Sequence, residues 1–469
     1  RAGGPALATE GAPMVEVHLP SSLLSLAGGR EVVALDGATA RDVLARLEER
    51  YPRLAGWVLD ERGEVRQHVA LFRDGERVDA ATPLADGERL HVVQAISGGA
   101  PEAGTAGGDG VELLVGTRKG LVVLRGPKGG PMDLICRRFQ GQEVELAVRD
   151  PGTGTYFASV THGAFGPRLF RSDDVTAMDE EWETTDGPAF PEDTGDAVSR
   201  IWAVEPGAEP GTLWAGVAPA ALFRSDDDGR SWELVRPLWD EPSRPSWEGG
   251  AGGLCLHSIC PWPGEPDRLA VGISAAGVWI TEDGGRSWGR GGRGLVPRYL
   301  PEEAREGALT LCVHSMKRSP LEPETLYMQF HGGVYRSGDG GRSWTDIAEG
   351  LPSDFGFPLV IDPRDPARAF VVPLVSDHDR VTPEGKVRVW ETRDRGASWR
   401  ELGDGLPDEA AYLTVLRQAF ATDGGEPLGL YFGATSGELF GSGDGGATWT
   451  TLARRLPPVL GVRAAALSA

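Results

Sequence analysis

The chain has 469 residues, more than one ordinary hydrophobic core accommodates, so we expect several domains or a repeat array. Its net charge of −22 disfavours nucleic acid and anionic membranes as partners, and no apolar run approaches the roughly 20 residues that span a bilayer. Four cysteines without a Cys-x-x-Cys spacing do not form a disulfide framework, whereas 67 glycines and 35 prolines indicate many tight turns, as in an all-β fold.

Residues 1–13 open the sequence without the charged start and apolar stretch of a secretory signal. We therefore expect a disordered leader here and a cytoplasmic location for the protein. Met14 directly precedes the first strand-like run.

Residues 14–99 predict a small domain with the element order β-β-α-β-β, which is ubiquitin-like. Thr39 is expected to cap the helix, and Asp42, three residues later, completes a capping box. The helix carries an apolar stripe formed by Val43, Leu44 and Leu47. The predicted strands lie in the segments MVEVHLP (14–20), REVVALDG (30–37), HVALFRDGERV (68–78) and DGERLHVVQAISGG (86–99).

The helix ATARDVLARLEERYP, the segment PLADGERLHVV and the ending ISGG resemble the MoaD/ThiS family of sulfur carriers across the whole domain. The resemblance implies that Gly98 is the slender residue that fits a narrow active-site channel and that Gly99 carries the reactive carboxylate. In that family an adenylating enzyme of the ubiquitin-activating type uses ATP to activate the carboxylate, which becomes a thiocarboxylate. The implied partners are that enzyme and a sulfur-accepting protein.

The sequence departs from that family after Gly99, because Ala100 and the linker APEAGTAGGDG (100–110) follow it. The Gly99 carbonyl is an amide in the intact chain, so sulfur-carrier chemistry requires a processing protease that cuts after Gly99. Flexible segments rich in Gly, Ala and Pro are the type that proteases cut. The alternative is that Gly98 and Gly99 begin the linker and that the domain is only a docking module.

Residues 111–469 contain an internal repeat, which predicts a repetitive architecture. Its copies are LFRSDDDGRSW (222–232), VWITEDGGRSW (278–288), VYRSGDGGRSW (334–344), VWETRDRGASW (389–399) and LFGSGDGGATW (439–449), with a degenerate copy at 169–182. The tryptophans that end the copies follow one another at intervals of 50 to 56 residues. That period fits one four-stranded propeller blade with its loops.

The repeated motif Ser/Thr-x-Asp-x-Gly-x-x-Trp predicts a hairpin turn. The Asp carboxylate accepts backbone N–H bonds, the Gly adopts a positive φ, and the Trp packs between strands. The motif resembles the Asp-box of sialidases and sortilin-type receptors, where it lies on the outer part of a blade away from the ligand site. We therefore interpret five aspartates as structural: Asp226, Asp283, Asp339, Asp394 and Asp444.

Six units carry the Asp-box or its remnant, and a seventh at 111–126, with an outer strand near 132–139, lacks an inner strand. The tail LGVRAAALSA (460–469) is strand-like and lacks a blade. If the tail supplies the missing strand, the ring closes and both sheet edges are covered. The predicted fold class is mostly β: a seven-bladed β-propeller over residues 111–469, preceded by an α+β ubiquitin-like (β-grasp) domain.

Histidines mark one end of the predicted ring. His257 and His314 occupy the same place in adjacent inner strands, each two residues after a cysteine, Cys255 or Cys312. Side chains alternate along a strand, so each Cys-x-His pair points to one face. His331 lies where a second strand turns at the same end, and His257, His314 and His331 together are candidate ligands for zinc or a similar divalent metal. The alternative is that the histidines hydrogen-bond between blades while the cysteines fill the core.

Loops 233–253 and 289–308 are expected to reach the same end of the ring, which is therefore polar and aromatic. His162 occupies a turn equivalent to that of His331. The candidate binding residues are His257, His314, His331, His162, Trp247, Arg244 and Tyr299.

Four segments resemble a bacterial family often labelled glycosyl hydrolase or exo-α-sialidase-like, namely GGLCLHSI (252–259), LCVHSM (311–316), GLPSDFGFP (350–358) and VLRQAF (415–420). A sialidase needs a tyrosine nucleophile with a glutamate partner. The loop tyrosines Tyr299 and Tyr412 have no evident glutamate partner, so sialidase activity is disfavoured.

The leading hypothesis from the sequence is a sulfur-carrier domain joined to an interaction or ligand-binding propeller. Such a protein would act in sulfur transfer or in the synthesis of a molybdopterin- or thiamine-type cofactor. One alternative is a glycosidase-like propeller hydrolase with an accessory ubiquitin-like domain. Another is a non-catalytic protein-binding scaffold.

Overall fold

The structure is a computed structural model that describes residues 13–19, 27, 30, 32–54, 58–59, 65, 69–73, 76–94 and 110–467. Gly98, Gly99, nearly all of the predicted leader and linker residues 100–109 lie outside the described residues. The chain divides into two compact units, Arg1–Gly104 and Thr105–Ala469. No helix within the described ranges is long and apolar enough to cross a membrane.

The described residues of the first unit form a five-stranded sheet and one α-helix. Its elements are β1 Met14–His18, β2 Val32–Asp36, α1 Ala40–Arg50, a 3-10 turn Pro52–Leu54, β3 Val69–Arg73, β4 Glu76–Val78 and β5 Arg89–Gln94. The strand order is β2-β1-β5-β3-β4, with β1 parallel to β5. This topology confirms the predicted β-grasp domain.

The helix begins as the sequence predicts. The Thr39 side chain accepts from the Asp42 backbone N–H at 3.3 Å, and the Asp42 carboxylate accepts from the Thr39 N–H at 3.0 Å. These reciprocal bonds satisfy donors that a helix start leaves unpaired. The predicted stripe of Val43, Leu44 and Leu47 is fully buried in one core with the sheet.

The second unit consists of seven four-stranded antiparallel sheets within residues 110–467, all of which the structure describes. We call these sheets blades 1 to 7 in chain order. The inner strand of each blade contacts the inner strand of the next blade, and these contacts run around a complete ring. A β-propeller is therefore established by the strand contacts of this chain.

The first three blades span the beginning of the second unit. Blade 1 comprises β33 Val459–Ala466, β6 Gly110–Thr117, β7 Gly120–Pro127 and β8 Asp133–Arg138; blade 2 comprises β9 Glu143–Arg149, β10 Tyr156–His162, β11 Gly166–Ser172 and β12 Glu183–Thr184; blade 3 comprises β13 Arg200–Pro206, β14 Leu213–Ala218, β15 Ala221–Ser225 and β16 Glu233–Leu234. A short helix, α2 Arg236–Trp239, follows blade 3.

The remaining blades repeat the same order from inner to outer strand. Blade 4 comprises β17 Cys255–Trp262, β18 Glu265–Ser274, β19 Gly277–Thr281 and β20 Gly289–Arg290; blade 5 comprises β21 Val313–Arg318, β22 Leu326–Phe330, β23 Gly333–Ser337 and β24 Thr345–Asp346; blade 6 comprises β25 Gly356–Asp362, β26 Asp365–Pro373, β27 Val389–Thr392 and β28 Arg400–Leu402; blade 7 comprises β29 Phe420–Thr422, β30 Leu430–Gly433, β31 Leu439–Ser442 and β32 Thr450–Ala453.

Blade 1 combines the two ends of this unit, as the sequence predicts. Strand β33 pairs antiparallel with β6, for example through Val462 opposite Val115 and Ala464 opposite Leu113. It also contacts the inner strands of blades 2 and 7. The last strand therefore closes the ring and covers the edge that β6 would otherwise expose.

The Asp-boxes are compact hydrogen-bonded turns. In blade 4 the Asp283 carboxylate accepts the Ser287 backbone N–H at 2.9 Å and the Ser287 hydroxyl at 2.6 Å. These bonds lower the pKa of Asp283 to about 2. Asp339, Asp394 and Asp444 make the same bonds to the residue four positions later, which agrees with their predicted structural role.

The prediction for the box at 222–232, in blade 3, was wrong by one residue. In blade 3 it is Asp227, two residues after Ser225, that accepts from the backbone N–H and the hydroxyl of Ser231. Asp226 is exposed and instead accepts from Arg224 at 2.9 Å. The box requires a Ser-x-Asp spacing, and in the run of three aspartates only Asp227 has it.

The two neighbouring aspartates provide a matched pair of variants. We expect Asp227→Ala to lower the free energy of unfolding by about 1–2 kcal/mol, because it leaves the Ser231 donors without their acceptor. Asp226→Ala removes an exposed ion pair with Arg224 and a 3.3 Å bond from the Thr212 hydroxyl, and it is expected to change stability less. Urea denaturation of the full chain measures both variants, and equal effects would contradict the assignment.

Candidate functional site

A cavity of about 360 Å³ lies at one end of the propeller ring. All seven blades, or the loops that lead into them, contribute to its wall. The lining side chains that can act chemically are Arg118, Glu143, Glu145, Arg200, Trp202, Ser274, Cys312, His314, His331, Asp377, Arg380, Arg417 and Gln418. Of the two loops expected at this end of the ring, loop 233–253 contributes Gly250, Ala251 and Gly252 to the wall, whereas loop 289–308 contributes no lining residue.

His257 does not line this cavity. Its Nε2 lies 2.9 Å from the Val313 carbonyl of blade 5, and its Nδ1 lies 3.0 Å from the Ser258 hydroxyl. Burial lowers the pKa of His257 well below its usual value, so the ring is neutral. Since both nitrogens are engaged, His257 joins two blades, and the predicted metal set that included it is corrected.

His314 and His331 do meet at the cavity wall, and Cys312 joins them. The potential ligand atoms of these three residues all lie within 4.8 Å of one another. His314 Nδ1 bonds to the Gly356 carbonyl at 2.6 Å, and the His331 backbone N–H donates to the Cys312 carbonyl at 3.0 Å. Burial lowers the pKa of both histidines and raises that of the Cys312 thiol. We call this group the Cys312 cluster.

Tyr299 contacts both Cys312 and His331 of the Cys312 cluster. Its hydroxyl donates to the Thr310 carbonyl at 2.6 Å and accepts the Cys312 backbone N–H at 2.9 Å. Its ring packs edge-on against His331, with centroids 4.7 Å apart. Burial raises the pKa of Tyr299, so its hydroxyl stays protonated. These contacts make it a positioning residue rather than a nucleophile.

The other predicted binding residues lie away from the cavity. Arg244 stacks on Trp239, with its guanidinium carbon 3.5 Å from the ring centroid, and also contacts Trp247. Both belong to the packing of the loop after blade 3. His162 stacks on Phe165 and lines a separate shallow depression that shares Arg118 and Glu143 with the cavity.

Two residues of the cavity wall carry a buried N–H donor that has no hydrogen-bond acceptor among the described residues. They are Trp202 Nε1 and Arg417 Nε. The Arg417 guanidinium lies between the rings of Trp202 and Phe357, 5.1 and 5.4 Å from their centroids, and makes no ion pair with any described residue. Buried donors normally have partners, so this pair suits a ligand that carries an acceptor oxygen.

The carboxyl groups of the cavity are concentrated on blade 2. Arg200 lies 3.1 Å from both Glu143 and Glu145. Burial, reinforced by the neighbouring Glu143, raises the pKa of Glu145 to about 8. Glu145 therefore keeps its proton near neutral pH, and the four arginines of the cavity outnumber the ionised carboxylates. The cavity is positive although the chain is strongly acidic.

Sequence reasoning missed Glu145, Trp202 and Arg417 as site residues. Arg417 lies in the segment VLRQAF (415–420), whose family resemblance was a usable signal. Glu145 lies within the inner strand β9. An acidic residue among apolar neighbours in a strand was a weaker signal of a site. Trp202 gave no signal because most tryptophans of this chain are structural.

The fold defines a ubiquitin-like domain and a β-propeller in one chain. The model of the ThiS family matches residues 17–99, which include the ubiquitin-like domain. Small archaeal modifier protein 3 of Haloferax volcanii is 40% identical over 68 residues, 14% of this chain and 73% of that protein. Small archaeal modifier protein 1 of the same organism is 34% identical over 87 residues, 18% of this chain and 100% of that protein. Through its amino-terminal domain, the chain belongs to the ThiS family.

The propeller has more distant similarities. An oligoxyloglucan-reducing end-specific xyloglucanase of Emericella nidulans is 24% identical over 223 residues, 40% of this chain. The match covers 25% of that protein, so the chain corresponds to only a quarter of its length. The crystal structure of an ancestral GH74 enzyme matches 64% of this chain and 36% of its own, with 17% identity and a TM-score of 0.42.

The raised pKa of Glu145 predicts a pH-dependent stability. Its usual pKa is 4.5, so the protonated folded state is favoured at low pH, and this contribution is lost as the pH rises through about 8. Relative to Glu145→Gln, which mimics the protonated form, the wild type should lose unfolding free energy between pH 5 and pH 8. Glu143, Arg200 and Arg118 are the charged groups that face Glu145.

Urea denaturation at several pH values measures this difference. The exposed glutamate variant Glu265→Gln serves as the control and should follow the wild type. Parallel pH profiles for the wild type and Glu145→Gln would contradict a raised pKa for Glu145.

Proposed function

We propose that this protein is a ThiS-type sulfur carrier joined to a ligand-binding propeller. The observation that carries the proposal is that the ThiS match ends at residue 99, the second glycine of the Gly98-Gly99 pair. A carrier of this kind needs backbone that enters a narrow catalytic channel, and two glycines meet that need. The match thus ends at Gly99, the residue whose carboxyl group would be activated.

The proposed chemistry begins with a processing protease. Hydrolysis of the amide between Gly99 and Ala100 leaves a carboxylate on Gly99 and an amine on Ala100. An adenylating partner then joins the carboxylate to AMP from ATP and releases pyrophosphate. Sulfide displaces AMP and leaves a thiocarboxylate on Gly99, which a sulfur-accepting partner consumes.

In this proposal, the ligand binds in the central cavity of the propeller. The unpaired donors of Trp202 and Arg417, in a positive cavity, support a ligand with an anionic or strongly accepting oxygen. The chain as a whole carries a net charge of −22, so this local excess of arginine is not a consequence of overall composition. We assign the cavity to a small anionic molecule that takes part in the same sulfur chemistry.

Intact mass spectrometry of the full chain, purified from the organism that produces it, tests the carrier function. We expect a species that ends at Gly99, and a second one heavier by about 16 Da in which the terminal –OH has become –SH. Gly99→Ala should abolish the heavier species, and Gly107→Ala in the linker is the matched control. A chain that stays uncut under sulfur demand would overturn the proposal.

A second candidate function is glycoside hydrolysis, which the protonated Glu145 favours. A carboxyl group that keeps its proton near pH 7 can act as a general acid, and Glu143 supplies a second carboxyl group nearby. The similarity to a xyloglucanase suggests xyloglucan oligosaccharides as the first substrates to try. An uncut chain that cleaves them, with activity reduced about 100-fold or more in Glu145→Gln, would support the hydrolase over the carrier.

A further inference from the structure

We propose that Cys312, His314 and His331 bind one divalent transition-metal ion, with zinc as the best match, at the wall of the central cavity. This site goes beyond the proposed function and does not depend on cleavage after Gly99. It differs from the zinc site expected from the sequence, because Cys312 takes the place of His257.

The three side chains are held by one blade. Cys312 directly precedes the inner strand β21, His314 lies within that strand, and His331 follows the neighbouring strand β22. Their potential ligand atoms lie within 4.8 Å of one another. Tetrahedral zinc ligands at about 2.0–2.3 Å from the ion lie roughly 3.5 Å apart, so binding requires a contraction of about 1 Å.

His314 has the tautomer that metal binding requires. A carbonyl oxygen only accepts, so the 2.6 Å bond to Gly356 places the proton on Nδ1 and leaves the lone pair on Nε2. Metal-binding histidines commonly donate their other nitrogen to a backbone carbonyl in this way. His257 lacks this freedom because both of its nitrogens have partners.

Cys312 and His331 also have supporting groups. The Ser274 hydroxyl lies 3.1 Å from Cys312 Sγ, and it can donate to the thiolate once the metal displaces the thiol proton to solvent. Asp377 lies 3.7 Å from His331 Nε2 and adds negative charge to a region that contains Arg417 and Arg380. The thiolate and Asp377 thus offset the charge of the incoming ion.

The coordination would be incomplete on the cavity side. Three protein ligands leave a fourth position for water or a ligand, which is the arrangement of catalytic rather than structural zinc sites. The mixed sulfur and nitrogen donors select zinc or cobalt over magnesium and calcium, which prefer oxygen.

Titration of the metal-free, untagged full chain with Co²⁺ tests the site. We expect one equivalent to bind, with thiolate-to-cobalt charge-transfer absorption in the near ultraviolet, and Zn²⁺ to displace it. Cys312→Ser should abolish that absorption, and His331→Ala should lower the affinity about tenfold or more. Near-ultraviolet circular dichroism reports whether each variant stays folded.

Cys260→Ser is the matched control, because Cys260 is equally buried in the neighbouring blade and its thiol bonds to the Met316 carbonyl. It should keep the charge-transfer absorption of the wild type. Absence of stoichiometric Co²⁺ binding, or absorption that survives in Cys312→Ser, would overturn the proposal. If Cys312→Ser fails to fold, unchanged affinity in a folded His331→Ala variant would overturn it equally.

Discussion

The pairing of β33 with β6 is the interaction on which the rest of the propeller depends. Without it, blade 1 has three strands and β6 presents an open edge of hydrogen-bonding groups. Strand β33 also contacts the inner strands of blades 2 and 7, and the Val462 N–H donates to the Gln418 carbonyl of the blade 7 loop at 2.8 Å. One strand therefore joins blades 1, 2 and 7 at the inner ring, and the Gln418 that it contacts also lines the cavity.

Polar groups in the closed ring fall into two kinds: those with hydrogen-bond partners inside the protein and those without. The Asp-boxes satisfy their own polar groups, and His257 satisfies both ring nitrogens between blades. In contrast, Trp202 and Arg417 keep buried donors unpaired at the central cavity. Leaving such donors without partners costs free energy in the folded state, which an acceptor bound to them would recover. No motif marks Trp202 and Arg417 as candidate site residues, and a buried polar atom without a partner is not enough to do so, because Arg171 Nε and Thr161 Oγ1 also lack one.

The fold could be predicted almost completely, because the tryptophan period and the unpaired tail are local patterns that sequence displays directly. The candidate site could be predicted only in part. His257 and His314 have the same Cys-x-His context, yet they differ because the blade opposite them presents Val313 in one case and Gly356 in the other. Trp202, Glu145 and Arg417 come from three blades, so no spacing in the sequence brings them together. The one-residue error at Asp226 came from a run of three aspartates.

Hydrogen exchange of the full native chain, followed by mass spectrometry, tests most directly the claim that the last strand closes the ring. If it does, amides of β33 and β6 exchange as slowly as those of the inner strands of blades 4 and 5, because they open only with the whole propeller. Rapid exchange of β33 in the native protein, with slow exchange in the other inner strands, would contradict a cavity built on that closure.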